Sequence, residues 1–120
     1  MKQLDIIRSM LINELQISKE EVEVFLVLLK EEKYSPELLQ SKIKRPLKDV
    51  IENMKELEKK GMIIEVNNNV FRSLHPRFAV VNRYRKLCGI TNVPFKKNLK
   101  IDNLAIMVEK YQSDQSEEIM

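Results

Sequence analysis

The side chains best able to do selective chemistry in this chain stand close together. Lys48, Asp49, Glu52 and Asn53 fall within six residues, at spacings that set them on neighbouring turns of one helix. A lysine donates, carboxylates accept and an amide does both, so the set can pair with guanine, cytosine and adenine edges respectively. The same residues also suit a plain solvated face. Between 46 and 60 there are four lysines and four acids, and across a turn Glu56 attracts Lys60 while Glu52 repels Glu56. On these residues alone both readings stand.

No second cluster competes with them. The chain holds no glycine-rich phosphate loop, no His, Cys, Asp and Glu group at metal-ligand spacing, and no Ser-His-Asp or Cys-His arrangement. The expectation is a protein that is not an enzyme and uses neither metal nor cofactor. Cys88 stands alone, so no intrachain disulfide is possible. It is read as a small buried or half-buried apolar side chain, the alternatives being an interchain bridge or a reactive thiol. His75 is read as a turn residue before Pro76, with phosphate contact as the lesser option.

Charge is distributed unevenly. The net charge is only +3, but residues 61–100 hold eight Lys and Arg against one acid, whereas residues 101–120 hold one base against five acids. A local positive field of this kind suits a polyanion such as nucleic acid. Lys44, Arg45, Arg72, Lys96, Lys97 and Lys100 are the candidate phosphate contacts, with loop solubility as the alternative for the last three. Arg83, Arg85 and Lys86 are read chiefly as the wet face of a helix.

These residues need a scaffold, and 120 residues suffice for one domain with a modest aliphatic core. No apolar run reaches the 18 or so residues of a membrane span, and the start is too charged for a secretory signal. A soluble, cytoplasmic protein with no membrane partner is expected. A first helix is predicted over about 2–15. Ser18 and Glu21 form a capping box for a second, with Ile17 stapled to Val22 and a body, VEVFLVLLK, apolar nearly all round. Ser35-Pro36 opens a third helix, PELLQSKI, and Pro46 a fourth, with Leu47, Val50, Ile51, Met54 and Leu57 as its core stripe and Gly61 as its left-handed stop. MIIEVNNNVFRSL reads as a hairpin turning at the asparagines. A fifth helix is predicted to end at Gly89 and a sixth to span about 100–112, with Ile101, Leu104, Val108 and Tyr111 at heptad spacing.

Helix, helix, short turn, helix ending in KKG, then a hairpin is the order of a winged helix-turn-helix. The pieces LQISKEEVEVFLVLLK, SPELLQSKIKRPLKDVIENMKELEKKGMI and VFRSLHP resemble the DNA-binding domain of the archaeal TrmB-like transcriptional regulators, relatives of the MarR and ArsR groups. The resemblance implies a mainly α fold with a small β-hairpin wing and extra N- and C-terminal helices. It implies a homodimer that regulates transcription by reading double-stranded DNA, with the helix at 46–60 in the major groove and the wing at 62–75 on the backbone or minor groove. The N-terminal turns of such a helix meet base edges, which makes Lys48, Asp49, Glu52 and Asn53 the readout set. The pattern departs from the family at Ile43-Lys44-Arg45, where glycine and small residues are usual, and the sugar-binding domain of larger members is not expected. No small-molecule effector is named by any motif.

The expected division is a winged unit at 1–89, a basic loop with a C-terminal dimerisation helix at 90–113, and a disordered acidic tail at 114–120. Ile101, Leu104, Val108 and Tyr111, with Leu4, Ile7 and Leu11, are the candidate dimer seam, the alternative being that these helices fold back on their own core. The competing function is a winged helix used as a protein-interaction module in a transcription or replication assembly.

Overall fold

The computed structural model describes residues 3–30 and 33–118, with side chains as far as Ser113 in the last helix. Its elements run α1 (Gln3–Leu15), α2 (Lys19–Lys30), α3 (Pro36–Ile43), α4 (Leu47–Lys59), β1 (Ile63–Asn67), β2 (Val70–Ser73), α5 (Pro76–Thr91) and α6 (Leu99–Glu118). This is the mainly α fold with a two-stranded wing that the residue pattern predicts. Lys2, where the first helix was expected to begin, and Ile119 and Met120 of the tail lie outside the described residues.

α2 is the central post. Val22, Val24, Phe25, Leu26, Leu28 and Leu29 are all buried, so nearly every side of the helix meets a neighbour. Its start is held by the capping box: the Glu21 amide donates to Ser18 Oγ (3.0 Å) and the Ser18 amide to Glu21 Oε1 (2.8 Å). Ser35 caps α3 by accepting from the Leu38 amide at 3.3 Å. That helix stops at Lys44, which sits in the left-handed region (φ 61°) while its amide donates to the Gln40 carbonyl at 2.7 Å. A lysine therefore makes the tight turn that a glycine usually makes, at a steric cost of about 1 kcal/mol. Lys44→Gly is expected to raise stability by about 0.5–1 kcal/mol, read as a higher denaturant midpoint at unchanged slope.

α4 ends in a Schellman motif. The Gly61 amide donates to the Glu58 carbonyl (3.0 Å), the Met62 amide to the Leu57 carbonyl (3.0 Å), and Gly61 takes φ +84°. A β-carbon here would lie 2.4 Å from Asn82 Nδ2, the atom that donates to the Gly61 carbonyl at 2.9 Å. Gly61→Ala adds left-handed strain to that clash, and a loss of about 2 kcal/mol is expected in chemical unfolding.

The wing pairs antiparallel, Ile63 opposite Ser73 and Ile64 opposite Arg72, with the register shifting between Glu65 and Asn67. Asn69 supplies the positive φ (60°) at its tip. An isolated hairpin is marginal in water, and this one has a third partner that periodicity does not reveal. Tyr34, just after α2, exchanges two backbone hydrogen bonds with Phe71 at 2.8 Å each. Both rings are buried, which ties the wing to the helical core.

α5 and α6 depart from expectation in three ways. α5 passes Gly89 and runs to Thr91, where Asn92 takes the left-handed cap (φ 61°); one glycine costs a helix about 1 kcal/mol, which packing on both sides outweighs. α6 continues to Glu118, so the expected disordered tail is helical to that residue, because its Gln and Glu sustain a helix and no Gly or Pro stops it. The expected dimer seam lies inside the chain: Ile7, Leu11, Ile101, Leu104 and Val108 are buried in the shared core, and Leu4 and Tyr111 pack against it. An amphipathic stripe shows that a face is covered, not by which chain, and here α6 folds back on α1 and α5. Cys88 is buried as well. Among the described residues, no helix is long and apolar enough to cross a membrane.

Candidate nucleic-acid interface

The buried side of α4 is narrower than its apolar residues suggest. Val50, Met54 and Leu57 are fully buried, whereas Leu47 and Ile51 are only half-buried. At 3.6 residues per turn, Ile51 points about 90° away from the middle of the buried stripe. Two members of the expected core stripe therefore reach the surface, where Leu47 and Ile51 line an open groove with Lys48, Glu52 and Lys55.

Lys48, Asp49 and Glu52 are exposed on α4, as readout requires, but Asn53 is half-buried and engaged. Its Oδ1 accepts from Arg45 Nη1 at 2.8 Å, while Arg45 Nη2 donates to the Glu20 carbonyl at 3.1 Å. Asn53 and Arg45, expected on adenine and on phosphate, hold one another in the unbound chain. Together they brace the turn before α4 against the start of α2. Their partners lie in other elements, which no spacing rule within one helix could reveal.

The candidate phosphate contacts divide into two groups. Lys44 stands exposed at the left-handed turn beside the start of α4, and Arg72 is exposed on β2. Lys96 and Lys97 border Val81 and Tyr84 of α5 and Asp102 of α6, so the basic loop is grouped with the last two helices. Tyr84 anchors that loop, its hydroxyl donating to the Lys96 carbonyl at 3.5 Å and its ring meeting Phe95 at 5.7 Å between centroids. Lys100, also exposed, lies in the first turn of α6, where Asn98 Oδ1 accepts from its amide at 2.9 Å. His75 caps α5 by accepting from the Arg77 amide at 3.2 Å, and Arg77 pairs with Glu109 of α6 at 2.7 Å.

The orientation of α4 rests on a buried charge cluster that reading the helices one by one misses. Glu21 is 3% exposed and receives Lys60 Nζ from the C-terminal end of α4 at 2.6 Å. Arg83, expected on a wet face, is 5% exposed; its Nε donates to the Leu15 carbonyl at 2.9 Å and its Nη2 to the Gln16 carbonyl at 3.4 Å, capping α1. Burial pushes the Arg83 guanidinium below its usual value, and the charge of Glu21 opposes that shift. One carboxylate thus joins α2 to α4 and supports the cation that ties α5 to α1.

Among the described residues, no group of three or more His, Cys, Asp or Glu is placed to hold a metal ion. The family model described as sugar-specific transcriptional regulator TrmB matches residues 11–85, from the middle of α1 through the wing into α5. Searches of curated proteins and of solved structures give no match.

Proposed function

This chain belongs to the TrmB family of transcriptional regulators, and on that premise we propose that it is a cytoplasmic, sequence-specific double-stranded DNA-binding protein acting as a homodimer. α4 enters the major groove with Lys48, Asp49 and Glu52 toward base edges. The wing lies on the backbone or minor groove, with Arg72 and Lys44 on phosphates and Lys96, Lys97 and Lys100 on flanking phosphates. The observation that carries this reading is the free face of α4: the core, the Arg45–Asn53 brace and the Glu21 cluster hold the helix from behind and leave Lys48, Glu52 and Lys55 uncovered.

Five phosphate contacts per protomer, from Lys44, Arg72, Lys96, Lys97 and Lys100, give ten per dimer. The affinity for duplex DNA is then expected to fall by on the order of a hundred-thousandfold between 50 and 200 mM salt. No binding at low salt would instead favour a protein-interaction module, for which the apolar groove at Leu47 and Ile51 is the specific support.

With the heptad residues buried, the two-fold contact falls to apolar side chains left outside the core on α5, α6 and their loop. Phe78 and Leu99 are each 70% exposed, and Phe95 and Ile106 about half exposed. Phe78→Asp is expected to give a folded monomer in sedimentation, whereas Leu104→Asp, placed in the core, is expected to unfold the chain.

A further inference from the structure

Leu47 and Ile51 leave an apolar strip on the very face of α4 that must meet a polyanion. Cations border it: Lys48 and Lys55 line the same groove, and among the described residues Glu52 is the one acid there. Base edges in the major groove offer a single apolar group, the 5-methyl of thymine, and the adenine paired to that thymine offers an amino donor beside it. One A·T pair would therefore answer two neighbouring features of the helix at once, the methyl covering Ile51 and the adenine amino group donating to the Glu52 carboxylate. The flanking lysines make the strip complementary to DNA rather than to a neutral partner.

We infer that the Leu47–Ile51 groove of α4 receives the 5-methyl group of a thymine, which makes Ile51 a specificity-determining residue and Glu52 its partner on the same base pair. This rests on the reading of α4 as the DNA-reading helix. It also gives Glu52 a task that does not oppose the groove, since an amino donor and not a phosphate faces it.

The test uses the full chain and duplexes enriched by it from a randomised pool. In each enriched duplex, thymidines are replaced one at a time by deoxyuridine, which removes only the methyl. One replacement is expected to weaken binding by about fourfold, the worth of one buried methyl. The same replacement is expected to leave the affinity of Ile51→Ala unchanged, because that variant has already lost the contact; a circular dichroism spectrum matching the wild type shows that it is folded. Equal affinity of the wild type for thymidine and deoxyuridine duplexes at every position overturns the inference, as does an equal loss in Ile51→Ala. Failure of the wild type to retain any duplex at low salt overturns the DNA-reading function itself, a distinguishable result.

Discussion

Glu21→Ala is expected to lower the unfolding free energy by about 3 kcal/mol, enough to shift the thermal midpoint by on the order of 10 °C. Glu21 is the carboxylate that pairs with Lys60, at 2.6 Å, and it is the charge that supports Arg83 against burial. Removing one member of a buried pair leaves the others in low dielectric. Arg83, 5% exposed and bound to the end of α1, cannot turn to water without uncapping that helix. Lys60 is 19% exposed in its side chain and relaxes more easily, which keeps the figure at the lower end of what buried pairs show. The substitution also removes the acceptor for the Ser18 amide, worth about 1 kcal/mol. Glu21→Gln keeps an acceptor and loses the charge, so it is expected to cost about 2 kcal/mol. Urea unfolding of the three proteins checks the order, and equal stability of all three would show that the cluster does not hold α4 in place.

Lys48→Ala has the second large effect, on binding and not on stability. Lys48 is exposed at the start of α4, so its loss is expected to leave the fold intact. A base contact contributes about 1–3 kcal/mol, and a dimer loses it in both half-sites. Affinity for the enriched duplex is therefore expected to fall by on the order of a hundredfold, with a much smaller change on scrambled duplex. Arg72→Ala acts on phosphate and is expected to weaken both duplexes alike, while reducing the salt slope by about one unit per half-site. Direct titration of each variant with the two duplexes reads both effects. Identical behaviour of Lys48→Ala and Arg72→Ala would contradict the roles assigned to α4 and the wing.

What was legible in the sequence is what is local. Ser18 with Glu21, Ser35 with Pro36, and Gly61 after the lysines each carry their own partner within a few residues, so the starts of α2 and α3 and the end of α4 follow from spacing alone. Alternation and the asparagine run likewise give the wing. Most of the misreadings are long-range. Ile101, Leu104 and Val108 announce a covered face but not its cover. Arg83 counts as a polar residue of α5 until the end of α1 is seen beneath it, 68 positions away. Arg45 and Asn53 look like two free readers until the turn brings them together. Tyr34 is a single-residue bridge with no pattern to repeat. Ile51 was within reach of the sequence, since its angle on the helix already separates it from Val50, Met54 and Leu57.

The account turns on one claim, that the exposed face of α4 enters the major groove in two copies. Dimethyl sulfate probing of the enriched duplex tests this directly, because it methylates guanine N7 in the major groove. Bound protein is predicted to protect guanines in two patches about ten base pairs apart, one for each α4. Protection confined to adenine N3 in the minor groove, or unchanged guanine reactivity in a fully bound duplex, would contradict it.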